Sequence, residues 1–170
     1  SRINPLLAHV KRLEPFPGLA LHEIIVVDGD PERSTLRAIA EKSESVKLLT
    51  SDPGRARQMN AGAQAATGDI LLFLHADTTL PKQALASITA CLAHEPVGLG
   101  AFSLRVDQGS KLLHSFIWLA DKRNKLLATP YGDQAFFMRK QAFQEVNGYP
   151  DQPLMEDIEL ARRVRAKGYK

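Results

Sequence analysis

The sequence has almost no cysteine and no long apolar run. One thiol, Cys91, in 170 residues excludes a disulfide within the chain and any site built from several thiolates, and it suits a reducing, cytoplasmic compartment. No uninterrupted apolar stretch approaches the roughly 18 residues a bilayer-spanning helix needs. The first residues also lack the charged, apolar and small-residue succession of a secretory signal. A strong charge of one sign is missing too: 22 Lys and Arg stand against 19 Asp and Glu, a net +3, with no basic tract to neutralise a nucleic-acid backbone. Nor is there an internal repeat or a low-complexity linker. Two phosphate-binding signatures are absent, the P-loop and the Gly-X-Gly-X-X-Gly dinucleotide turn.

What is present is enough apolar material, 44% of residues, for one core in a single domain over 1–170. Short β-rich apolar runs alternate with stretches of helical period, which predicts an α/β sheet. Strands are expected at 24–27, 46–50, 70–74, 99–106 and 135–138. Helices are expected at 5–13, 34–42, 56–66, 82–94, 110–127, 140–146 and 157–167. The chain opens on a helix and closes just after another, so further residues of the same domain are expected on either side.

In such sheets ligands gather beyond the C-terminal ends of parallel strands, and here the strand exits are polar. Asp28 follows the first, Ser51 and Asp52 the second, His75 and Asp77 the third. On an extended strand, positions 75 and 77 share a face. An imidazole and a carboxylate there suit Mn²⁺, and a carboxylate with water and diphosphate oxygens suits Mg²⁺. The same pair also fits plain packing, with Asp77 capping the next turn. Arg55 and Arg57 stand at a helix start after the turn Asp52-Pro53-Gly54, where free N–H groups, dipole and guanidinium all favour an anion; a capped, solvated surface helix is the alternative. Glu156 and Asp157 open the last helix, either as acids complementing the macrodipole or as a carboxylate facing an acceptor hydroxyl. The segment 110–127 is a basic amphipathic helix whose apolar side faces a core or, with Trp118 as anchor, a membrane surface.

Taken in order, these segments resemble the GT-A-type glycosyltransferases of family 2. Glu23 to Thr35 is similar to the family's strand ending in an acidic nucleotide-binding turn, Gly54 to Gly62 to its Arg-to-Asn-X-Gly segment, and Gly68 to Asp77 to the strand with its Asp-X-Asp metal motif. Gly132 to Arg139, with Phe143, Gly148 and Tyr149, resembles the acceptor-side segment, and Glu156-Asp157 the pair whose Asp is the base. Leu74-His75-Ala76-Asp77-Thr78 and Gly132-Asp133-Gln134 look most like the bacterial subgroup called radical-SAM/selenodomain-associated transferase 2. Two departures stand out. His75 replaces the first metal-motif carboxylate, and the family's opening strand, with its Pro, Asn and Glu, does not precede Ser1.

The resemblance implies a GT-A fold, a Rossmann-like mixed sheet flanked by helices, and metal-assisted, inverting sugar transfer from a nucleoside-diphosphate sugar to an acceptor hydroxyl. Asp28, Asp30, Arg55, Arg57, Asn60 and Ala76 would then contact the nucleotide sugar. Asp77, with His75, would hold Mn or Mg. Asp133 and Gln134 would orient acceptor or sugar, and Asp157 would be the base beside Glu156. No nucleic acid is implied, and peripheral contact with the inner membrane face fits the 110–127 segment. Two rival classes are a sugar-nucleotide nucleotidyltransferase and a non-catalytic nucleotide-sugar sensor, the latter favoured by His75.

Overall fold

The computed structural model describes residues 2–40, 45–93, 97–103 and 134–170. The elements run α1 (Ile3–Val10), β1 (Ile24–Asp28), α2 (Ser34–Ala38), β2 (Val46–Thr50), α3 (Arg55–Ala65), β3 (Ile70–Leu72), α4 (Ala84–Leu92), β4 (Leu99–Ala101), β5 (Phe136–Arg139), α5 (Lys140–Glu145) and α6 (Glu156–Ala166). The expected helix 110–127, the end of the expected strand 99–106, and Asp133 lie outside the described residues.

β-Branched Ile24, Ile25, Val26 and Val27 make β1 a natural strand. It pairs in parallel with β2, from Ile24 opposite Val46 to Asp28 opposite Thr50, and the Ser51 N–H reaches the Asp28 carbonyl at 3.1 Å just beyond. The second sheet has the order β3-β5-β4. Both of its ladders are antiparallel, so the expectation of a parallel rim holds at β1 and β2, whereas β3 is laddered antiparallel to β5.

β5 supplies both faces of that sheet because side chains alternate along a strand. Phe136 and Met138 pack with Phe73, Phe143, Tyr149, Leu160 and Val164 under α3, α5 and α6. Phe137 points the other way, onto Ile88 and Leu92 of α4. Opposite it, Gly100 has no room for a side chain, since a Cβ there would sit 2.3 Å from the Phe137 ring. A third cluster, Ile3, Leu7, Val26, Ile39 and Val46, seals α1 against the β1–β2 sheet.

Two elements are shorter than their apolar runs suggest. β3 stops at Leu72; the Phe73 N–H still donates to the Phe136 carbonyl at 2.7 Å, but the chain then turns at Ala76 and Asp77. α2 ends at Ala38 because Ile39 adopts an extended conformation, φ −72° and ψ 113°. Among the described residues no helix is long and apolar enough to cross a membrane.

Candidate active site

Asp28 ends β1 almost wholly buried, at 4% exposure. Its Oδ1 accepts the Asp30 N–H and its Oδ2 the Leu36 N–H, each at 3.0 Å. Asp30 repeats the device outside it, accepting from the Glu32 and Ser34 N–H groups at 3.0 and 3.4 Å. These contacts, the Ser34 hydroxyl foremost, hold its carboxyl below the usual range. Both acids therefore shape the turn after β1, as Asp side chains do when they satisfy local backbone donors.

The exit of β3 is a turn in which the Thr78 N–H reaches the His75 carbonyl at 3.1 Å. The turn replaces the extended geometry that would put 75 and 77 on one strand face: His75 is half-buried, while Ala76 and Asp77 are exposed. Arg55 Nη2 lies 3.0 Å from His75 Nε2. A guanidinium can only donate, so Nε2 accepts and the ring proton belongs on Nδ1. In that tautomer the Nε2 lone pair is taken up by Arg55 and Nδ1 carries the proton, and Asp77 is the carboxylate this exit has to give to a hard cation. No cluster of three or more His, Cys, Asp or Glu suited to a metal occurs among the described residues.

The same guanidinium reaches the far end of the chain, with Arg55 Nε 3.2 Å from Glu156 Oε1. Glu156 and Asp157 open α6 and are only 2% and 7% exposed. The Arg55 contact is a charge attraction without hydrogen-bond alignment, which leaves Glu156 Oε1 buried and without a hydrogen bond; such a group is costly unless a charge offsets it. Asp157 Oδ1 accepts the Ile158 N–H at 2.8 Å. Met155, the residue before the pair, is held at φ 61°, a left-handed conformation that costs a non-glycine residue energy and turns the chain sharply into α6. Beneath lies Tyr149, edge-on to Phe73 with centroids 5.1 Å apart. Its phenol is pushed well up, first by burial and then by the charges of Asp157 and Glu156.

Two of the expected nucleotide contacts have protein partners. Arg57 grips both oxygens of Asp151, with Nε at 2.9 and 3.1 Å and Nη2 at 2.9 Å. Asn60 brackets the Tyr149 backbone, donating to its carbonyl at 2.8 Å and accepting its N–H at 3.0 Å. Gln134 is buried at the entry to β5, where its carbonyl accepts the Phe102 N–H at 2.8 Å. The sequence assigned no role to the buried Tyr149 phenol or to Asp151; the Tyr149-Pro150-Asp151 turn just upstream of the acidic pair is the signal that could have drawn attention to them.

The strand order, the acidic turn after β1 and the acid-led α6 make up the mixed α/β fold of GT-A glycosyltransferases. The solved mannosyltransferase PcManGT from Pyrobaculum calidifontis, in complex with GDP-Man and Mn²⁺, aligns at TM-score 0.71 and 20% identity over 99% of this chain and 49% of its own. TarS 1-349 of S. aureus aligns at TM-score 0.69 and 16% identity, over 96% of this chain and 51% of its own. In sequence, residues 1–146 match glycosyl transferase family 2, and the chain belongs to that family. A probable glycosyltransferase of Bacillus subtilis (strain 168), YdaM, is 27% identical over 91% of this chain. The chain spans 41% of that relative's length. The family match stops at Val146, short of Glu156 and Asp157.

Proposed function

We propose that these residues form the donor-binding and catalytic part of an inverting glycosyltransferase, in one cytoplasmic domain, that moves a sugar from a nucleoside diphosphate to an acceptor hydroxyl. The observation that carries this is the Arg55 bridge, 3.0 Å from His75 at the β3 exit and 3.2 Å from Glu156 at the start of α6. It brings the exit where a family member would hold the diphosphate next to the acids where it would hold a base. Family membership supports the same reading, as does the resemblance of the Leu74–Thr78 segment to the selenodomain-associated subgroup.

In this proposal the turn built by Asp28 and Asp30 offers its rim to the base and ribose, and Ala76, with no bulk at the turn, lets the donor lie close to the chain. Asp77 would hold a divalent cation, Mn or Mg, with water in place of the His75 ring; such an ion would supply Lewis-acid stabilisation of the departing diphosphate. Arg55, half-exposed, adds positive charge on the same side. Asp157 takes the proton of the acceptor hydroxyl as that oxygen attacks the anomeric carbon from the face opposite the diphosphate, so one displacement inverts the centre. Glu156 keeps Arg55 directed between the two halves, and Asp133 and Gln134 orient the acceptor or sugar.

The test is calorimetric binding of UDP, GDP and their sugar conjugates, GDP-mannose included, to the full-length protein with Mn²⁺, Mg²⁺ or chelator. Metal-dependent binding that vanishes in Asp77→Ala is the expected result. Binding by wild type without turnover toward any acceptor would favour a nucleotide-sugar sensor instead, a reading that the engagement of His75 by Arg55 keeps in play. Pyrophosphate release from a nucleoside triphosphate would point to a nucleotidyltransferase.

A further inference from the structure

We infer that Arg57 and Asn60 are positioning residues, which brace the segment carrying the catalytic acids against α3, and that Arg57 does not contact the donor. This rests on the function proposed above. Three side chains of α3 reach the same stretch of chain: Arg55 to Glu156, Arg57 to Asp151 and Asn60 to Tyr149. Arg57 gives both Nε and Nη2 to Asp151. It makes a two-pronged contact to one carboxylate, the most directional pairing a guanidinium has, and Asp52 lies 3.9 Å from its Nη1. Asp151 in turn raises the Arg57 pKa.

Asn60 works at closer range. A Cβ at Gly148, whose φ is +62°, would fall 2.6 Å from Asn60 Oδ1, so only glycine lets the two segments approach this far. On its other side α3 is fixed to the end of β1, just before the donor turn, with Gln58 Nε2 donating to the Val27 carbonyl at 3.2 Å. One helix thus joins the end of β1 to the chain entering α6, and its placement sets that of Asp157.

The Arg57–Asp151 pair is about half-exposed on both sides, 48% and 64%, and such pairs add little to stability. Its contribution is to alignment, where a shift of about 1 Å can cost on the order of a hundredfold in rate. The test uses full-length protein carrying Arg57→Ala, Asp151→Ala, or the exchange Arg57→Asp with Asp151→Arg. Each single variant is expected to lower kcat at least about tenfold while UDP or GDP affinity stays within about twofold of wild type, and the exchange to recover most of the loss. Loss of nucleotide affinity in Arg57→Ala but not in Asp151→Ala would make Arg57 a donor ligand and overturn the inference, as would an unchanged kcat. Amide hydrogen exchange over 149–157 reads the brace without turnover. Faster exchange in both single variants, restored by the exchange, supports it; unchanged exchange overturns it. A wild type that neither binds nucleotide nor transfers sugar sinks the proposed function alone and leaves this readout to decide.

Discussion

Replacing Asn60 with alanine removes two hydrogen bonds at once and leaves their backbone partners in a half-buried place. The side chain holds the Tyr149 carbonyl at 2.8 Å and the Tyr149 N–H at 3.0 Å. Each bond is worth about 1 kcal/mol net, but a buried polar group stranded by the loss of its partner costs about 1–3 kcal/mol. With two groups stranded and some water reaching them, the sum is roughly 2–4 kcal/mol. For a domain of about this size, 1 kcal/mol moves Tm by about 2–4 °C, so a fall on the order of 10 °C is expected by calorimetry or near-ultraviolet dichroism. Asn60→Asp keeps an acceptor for the N–H but turns an oxygen toward the carbonyl, and should be no better than alanine. A fall of less than about 2 °C in Asn60→Ala would mean that the bracket contributes no more than an ordinary surface contact, and the account of how the 149–157 segment is held would be wrong.

Three further outcomes are expected. Asp157→Asn should lower kcat by about 10²–10⁴-fold with donor binding intact; wild-type turnover in this variant would remove Asp157 as the base. Gly100→Ala drives a methyl into the Phe137 ring, 2.3 Å away, and should cost about 1–3 kcal/mol in urea unfolding; no shift in midpoint would show that the β4–β5 contact is looser than described. Glu23 is pulled from 4.5 to about 2, chiefly by the Thr67 N–H and then by the Thr67 hydroxyl and Lys47. A carboxyl depressed by folding stabilises the native state above its unfolded pKa and loses that contribution as pH falls toward the folded one. Acidification from about pH 4.5 to about 2 should therefore lower stability, together with Glu159, which Arg162 and Arg163 hold at about 2. Glu23→Gln should flatten the curve over that window, and an unchanged slope would count against the Thr67 contact.

The strands were legible where the chemistry is local. The β-branched run Ile24 to Val27 favours a strand, and Val46 to Thr50 pairs with it over the expected residues. Helix starts were also close, Ala56 expected against Arg55 found and Asp157 against Glu156. The side-chain partners were not legible. Arg57 at a helix start suits a phosphate or a carboxylate equally well, and nothing in the spacing reveals that Asp151, far along the chain, arrives to take it. Asn60 followed the same course, since its partner is a backbone segment placed by Phe143, Gly148 and Tyr149 together. At the β3 exit, alternation along a strand was extended past Leu72 into a turn it does not govern, so the separate environments of His75 and Asp77 could not be foreseen. Burial of Glu156 and Asp157 was hidden for another reason: acids in a first helical turn are normally solvated, whereas here Arg55 lies against Glu156 and the pair sits over the buried Tyr149.

β5 passes into α5 with no loop residue between them, strand at Arg139 and helix at Lys140. Lys140 is pinned there by its own N–H to the Asp69 carbonyl at 2.8 Å and by its ammonium to the Ala66 carbonyl. One residue inserted at that junction would turn α5 by about 100° relative to the sheet and carry Phe143, with the bracketed turn behind it, out of the core. Length variation among descendants of this sequence should therefore be purged at the β5–α5 junction for the sake of packing alone.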